Sequence, residues 1–203
     1  MKKCVLIALT IILTGILSIV GMAKDLDWES FYTGTLLGEY SYTTINSESM
    51  NPTLKSGDSV VIELLTDDMS LDRGDIIVYQ YPVDASKGKE TSFIHRIIGM
   101  PGETVDIDSG KIYIDGSSEP LDEPYIDENW VVENDGFSFE VPDDCFLLLG
   151  DNRNNSNDSR YWGIMALRDG IADDPEEALK LSYVKRDQIH GKAVSKIAFE
   201  PIE

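Results

Sequence analysis

Short apolar runs separated by turn-forming residues dominate the chain beyond its first 44 positions. Val60-Val61-Ile62, Ile76-Ile77-Val78-Tyr79, Ile94 to Ile98, Val105 to Ile107, Ile112 to Ile114 and Phe146 to Leu149 are each bounded by Gly, Pro, Asp or Asn. Runs of this length between such residues read as strands. Several in succession predict a mostly β fold, an antiparallel β-sandwich or a partly open barrel. Lys111 to Gly116 reads as a strand entering a tight turn, with Asp115-Gly116 as its marker, and belongs to a hairpin. Residues 117–140 are acidic and loop-like and extend that hairpin into an excursion over about residues 103–142. One helix is signalled late, at Asp174-Pro175-Glu176-Glu177-Ala178-Leu179-Lys180-Leu181, with an N-cap aspartate, proline at the first helical position and glutamates in the first turn.

The N-terminus follows a different pattern. Lys2 and Lys3 precede an uncharged stretch from Cys4 to Ala23, and Lys24, Asp25, Asp27 and Glu29 follow it. About 20 helical residues span a bilayer core. Residues 1–23 are therefore expected to be a cytoplasmic stub and one transmembrane helix in contact with membrane lipid, with residues 24–203 forming a domain on the outer side. Gly21-Met22-Ala23, small at its first and third positions, leaves a cleavable signal peptide as the other reading of this run.

Charge removes one class of function. Lysine and arginine total 17 against 37 aspartates and glutamates, a net charge of -20, so the basic surface that nucleic acid requires is missing. The two cysteines, Cys4 and Cys145, fall in segments of different character and imply no disulfide framework. No cofactor is expected and no metal, since the carboxylate spacing fits no EF-hand loop and there is no histidine or cysteine cluster.

Three clusters carry candidate chemistry. Ser47-Glu48-Ser49-Met50-Asn51-Pro52 places two serines at i and i+2, which share a face in an extended segment. They either cap a turn or supply a nucleophile and an oxyanion donor. Phe93-Ile94-His95-Arg96-Ile97-Ile98-Gly99 sets a lone histidine in an apolar strand, either a satisfied core residue or a base on a rigid support. The run from Gly150 to Gly163, Gly-Asp-Asn-Arg-Asn-Asn-Ser-Asn-Asp-Ser-Arg-Tyr-Trp-Gly, is either a solvated loop or one fixed by an Asp158–Arg160 pair so that Asp158 or Ser156 meets the base.

In this order the clusters resemble the motifs of type I signal peptidases, over about residues 45–193. Ser49-Met50 with Pro52-Thr53-Leu54 and Gly57-Asp58 resembles the nucleophile motif, and Arg73 to Tyr79 through Pro82 the strand after it. Arg96 to Glu103 resembles the base-bearing motif and Gly150 to Gly163 the last. The resemblance implies a signal peptidase/LexA-like β domain that removes signal peptides from exported precursor proteins after small residues in an Ala-X-Ala pattern. It implies Ser49 as nucleophile, the Ser49 N–H and Ser47 hydroxyl as oxyanion hole, and Ile45, Met50 and Ile94 lining substrate pockets. Asp151, Ser156, Asp158 and Arg160 match residues that brace the site.

Three positions depart from the family's pattern. His95 stands where bacterial members carry lysine, although another branch of the family pairs serine with histidine. Asn46 replaces a usual proline, and residues 165–182 resemble an acidic, solvated insertion. Histidine, at about 6.5 when unperturbed, is already largely neutral at pH 7, so His95 is expected to need an orienter more than a dry pocket, with Asp158 the first choice and Asp151 the second. The alternatives are an inactive homologue that binds signal peptides without cleaving them and a dedicated peptidase for a few precursors. A self-cleaving LexA-like regulator is disfavoured by the expected anchor and by the lack of a DNA-binding half.

Overall fold

A computed structural model describes residues 38–126 and 136–197. The expected transmembrane helix and its orientation lie outside the described residues, as do positions 127–135 of the acidic excursion. Among the described residues no helix is long and apolar enough to cross a membrane.

The strands are β1 (Tyr40–Thr44), β2 (Ser59–Leu64), β3 (Ile76–Gln80), β4 (Ser92–Gly99), β5 (Thr104–Asp108), β6 (Lys111–Ile114), β7 (Phe137–Glu140), β8 (Cys145–Leu149), β9 (Val184–Lys185) and β10 (Ile189–Ile197). They form a seven-stranded sheet in the order β1-β2-β10-β3-β4-β8-β9 and a three-stranded sheet in the order β6-β5-β7. The paired strands run antiparallel. Each apolar run named from the sequence is a strand. Strand β7 is a correction, because its Phe137 and Phe139 alternate inside the stretch read as loop and pair with β5.

Alternation of side chains across β4 and β8 explains how the two sheets meet. Phe146, Leu148 and Ile97 point to one side, into a core with Ile77, Tyr79, Tyr81 and Trp162. Leu147, Leu149 and Ile98 point to the other, against Val105, Ile107, Ile112 and Phe139 of the small sheet. Strand β8 is therefore buried on both faces, and each of its leucines contributes about 1.5–3 kcal/mol of hydrophobic stabilisation. A third cluster, Ile45, Met50, Leu54, Val60 and Ile62, anchors the segment between β1 and β2.

Among the described residues three α-helices and a 3-10 turn (Arg186–Gln188) complete the fold, the α-helices being α1 (Pro82–Ala85), α2 (Ser159–Arg168) and α3 (Pro175–Lys180). Helix α3 starts where its sequence signal lies, with the Asp174 side chain accepting from the Glu177 N–H. Helix α2 corrects the reading of residues 150–163 as loop alone, since Asp158 is its N-cap and accepts from the Arg160 N–H. Segment 165–182 is not simply solvated decoration either. Ala166, Ala172 and Ala178 form a small buried cluster of their own, and Gly163 lies so close to α3 that a Cβ there would stand 2.9 Å from the Ala178 carbonyl oxygen.

Candidate active site

The site lies where three segments converge: the turn from Ile45 to Leu54, strand β4, and the loop from Gly150 to Asp158. Serines 47 and 49 are in a turn and not in an extended strand, because the Asn51 N–H donates to Glu48 O and the Leu54 N–H to Met50 O. Their hydroxyls nevertheless lie 3.2 Å apart. The Asn152 backbone N–H donates to Ser49 O at 2.9 Å and its side-chain amide to Glu48 O at 3.0 Å, which ties this turn to the loop after β8.

Gly150 permits that approach. A Cβ at this position would stand 2.2 Å from Ser156 Oγ and 2.4 Å from Ser49 O, so no larger residue fits between the two loops without parting them.

His95 enters from β4, directly opposite Ile77 of β3. It is 2% exposed, hemmed in by Phe93, Tyr79 and Trp162 at ring separations of 6.2, 6.0 and 6.2 Å. Its Nε2 lies 3.3 Å from Ser156 Oγ and its Nδ1 2.6 Å from Tyr79 Oη. Burial is the largest influence on the ring and, with Arg160 acting in the same direction against Asp158 and Asp151, lowers its pKa from 6.5 to about 4. The ring expected to need an orienter more than a dry pocket is in fact deeply buried, and its neutral form prevails across the physiological range.

Neither aspartate expected to orient the ring bonds to it. Asp158, fully buried, gives its oxygens to Arg160 Nε and Nη2, each at 2.8 Å, and to the Gly150 N–H at 3.1 Å. Burial pushes the Asp158 carboxyl up, but the Arg160 charge and hydrogen bonds outweigh it and hold the pKa below the ordinary carboxylate value. Asp151 accepts from Arg96 Nε at 2.8 Å, Arg96 Nη2 at 2.6 Å and Thr53 Oγ1 at 2.5 Å. Both carboxylates are spent on arginines and reach His95 only as charges through space.

The other predicted residues divide. Ile45 and Ile94 line a groove of ≈ 500 Å³ together with Ser47, Ser49, Val78 and His95. Met50 is fully buried beneath it, in the core with Leu54 and Val60. Ser156 touches the imidazole itself, and Arg160 braces the loop through Asp158 and the Arg153 carbonyl at 3.0 Å. Tyr79, Thr53 and Asn152 had no assigned role in the sequence reading. Thr53 and Asn152 stand inside the motifs quoted there, whereas a tyrosine in an apolar strand reads as core filler until the register of β3 on β4 is known.

A family model described as signal peptidase, peptidase S26, matches residues 32–198. Signal peptidase I of Leptolyngbya laminosa is 40% identical over 177 residues, which are 83% of this chain and 71% of that protein. Probable signal peptidase I-2 of Synechocystis sp. is 40% identical over 137 residues, 64% of this chain and 58% of that protein. Signal peptidase I S of Bacillus subtilis is 35% identical over 126 residues, 57% of this chain and 64% of that protein. A crystal structure of a signal peptidase I from Enterococcus faecalis aligns with a TM-score of 0.44 at 25% identity, covering 62% of this chain and 98% of that one.

Proposed function

Because the chain belongs to the S26 signal peptidase family, we propose that it is a serine endopeptidase that removes signal peptides from exported precursor proteins, with Ser49 as nucleophile and His95 as general base. The observation that carries this reading is the groove in which Ser47, Ser49 and His95 meet beside the apolar side chains of Ile45, Val78 and Ile94. The precursor lies in that groove with small side chains against the apolar wall. Residues 4–23 tether the enzyme to the membrane, with the catalytic domain on the outer side.

Ser49 Oγ attacks the carbonyl carbon at the cleavage site and its proton passes to His95 Nε2. The Ser49 N–H and the Ser47 hydroxyl bind the oxyanion, each donor contributing about 2.7–4 kcal/mol by the precedent of other serine proteases. The imidazolium then protonates the leaving amine, and water hydrolyses the acyl-enzyme with His95 again as base. Before substrate binds, Ser49 Oγ is bonded to Ser47 and Nε2 to Ser156, so Ser49 must turn toward the ring for reaction. Asp158 and Asp151 favour the imidazolium through space, and the Arg160 and Arg96 pairs fix the loops that hold them.

The test is cleavage of a precursor with an Ala-X-Ala site by the detergent-solubilised full chain, followed from pH 3 to 9. Only neutral His95 accepts a proton, so turnover is expected to fall as pH drops through about 4 and to hold level from there to neutrality. Ser49→Ala is expected to show none, and cleavage retained by that variant would overturn the assignment. The same linkage acts on stability. The unfolded chain binds a proton on this ring at its ordinary 6.5, while the folded chain waits until about 4, so stability declines as pH falls across that interval. One observation favours the inactive, signal-peptide-binding homologue as a second reading: Nε2 is occupied by Ser156 and its base is weak. Tight precursor binding with no turnover at any pH would establish it.

Gly150→Ala is expected to lower turnover about 100-fold, because a misplacement near 1 Å costs that much and the added methyl must part Ser156 from Ser49. Wild-type turnover by this variant would show that the two loops need not touch.

A further inference from the structure

In the chymotrypsin-like arrangement a carboxylate occupies the ring nitrogen opposite the nucleophile. Here that place is taken by a phenol. Tyr79 stands on β3 opposite Phe93, two residues from Ile77, the direct partner of His95. This diagonal relation lets a long aromatic side chain reach across to the neighbouring strand. Tyr79 is fully buried, its Oη is 2.6 Å from Nδ1, and its ring packs against Trp162 at 5.9 Å.

The proton inventory of this contact is constrained. Burial raises the Tyr79 hydroxyl well above its ordinary 10, so it stays protonated, and Nδ1 is its one hydrogen-bond partner among the described contacts. A buried hydroxyl without an acceptor is destabilising, so the hydroxyl proton points at Nδ1. The neutral ring then carries its own proton on Nε2, where Ser156 Oγ accepts it at 3.3 Å. In that arrangement the Tyr79 proton and the ring proton each have an acceptor. In the opposite one, with the ring proton on Nδ1, the tyrosine proton is left without an acceptor.

We propose that Tyr79 is the positioning residue of His95 and that its hydroxyl holds the substrate-free enzyme in the tautomer protonated on Nε2. The inference rests on His95 being the base for Ser49. For attack the ring must present a lone pair at Nε2: a water molecule entering from the groove takes the proton from Nε2 and solvent returns one to Nδ1, while the Tyr79 O–H bond stays intact but turns away, so that its oxygen accepts from Nδ1. Tyr79 thus acts as donor to the resting ring and acceptor from the imidazolium. The second bond is charge-assisted and therefore the stronger.

The experiment uses the full chain in detergent micelles with 15N-labelled histidine. The chain has two histidines, so His190→Gln leaves the imidazole spectrum to His95 alone. At pH 7 the wild-type ring is expected to show a proton-bearing Nε2 and an unprotonated, hydrogen-bonded Nδ1. Tyr79→Phe is expected to give a mixture of tautomers and to lower kcat about tenfold with KM within twofold. A wild-type ring protonated on Nδ1, or a tautomer unmoved by Tyr79→Phe whatever happens to kcat, overturns the proposal. Absence of turnover by the wild type would sink the peptidase reading alone, because the spectrum decides the Tyr79 contact without it.

Discussion

Alanine at position 95 is expected to lower precursor cleavage by about a thousandfold, within the range that a positioned general base contributes, while the protein stays folded. The reason is specific to the place of the ring. Among the described residues lining the groove with Ser49, Glu48 and His95 are the two ionisable side chains, and His95 is the one held on a strand, with its ring nitrogens against Tyr79 and Ser156. His95→Lys separates the chemistry from the geometry. Lysine begins about four pKa units above histidine and would meet the same burial and the same Arg160, so this variant is expected to keep measurable turnover with its acid limb displaced to alkaline pH. The measurement is kcat against pH for the wild type and both variants. An acid limb that does not move in His95→Lys, or full turnover by His95→Ala, would remove His95 from the role of base.

Much of this arrangement is legible in the sequence because it depends on local features. The apolar runs between turn residues place the central strands, and the i, i+2 serines bring their hydroxyls together even though the segment is a turn. The Asp174-Pro175 signal marks the start of α3. What escapes is set by register and by contacts distant in sequence. That Tyr79 meets Nδ1 depends on which residue of β3 faces which residue of β4, an offset carried by the turn chemistry and the core and not by the strand's own residues. Strand β7 has only two apolar side chains in an acidic stretch, so its pattern is drowned until β5 supplies the partner.

The aspartates that the sequence offers as orienters make no hydrogen bond to the ring for a related reason. Asp158 and Arg160 at i and i+2 are visible as a pair in the sequence, but the pairing itself consumes the carboxylate. With two bonds to the guanidinium and one to the Gly150 N–H, Asp158 has no short contact left for the imidazole. A carboxylate on Nδ1 would also raise the ring's pKa strongly. The neutral phenol leaves burial to dominate, which is why the ring sits near 4; in the proposed role of base it is weak, but neutral throughout the physiological range. In such a site precision of placement substitutes for basicity, since proton transfer from Ser49 gains little driving force from the acceptor.

Asp151→Ala is accordingly expected to be among the most damaging changes to the fold, although Asp151 touches neither Ser49 nor His95. Its carboxylate is fully buried and holds Arg96, the residue next to His95, through two nitrogens, and Thr53 of the nucleophile turn through its hydroxyl. Removing it leaves the guanidinium with the Gly74 carbonyl at 2.7 Å and the face of Tyr125 at 3.8 Å, neither of which carries a negative charge. Breaking a buried pair from one side costs about 3–5 kcal/mol, or roughly 6–20 °C in melting temperature for a domain of this size. Replacing both partners, as in Asp151→Leu with Arg96→Met, is expected to cost less than Asp151→Ala alone, because no buried charge is left uncompensated. Thermal unfolding of the three proteins decides it. If Asp151→Ala melts within 2 °C of the wild type, the pair is not what joins the turn carrying Ser49 to the strand carrying His95, and that turn must be held instead by the Asn152 N–H on Ser49 O and the Asn152 amide on Glu48 O.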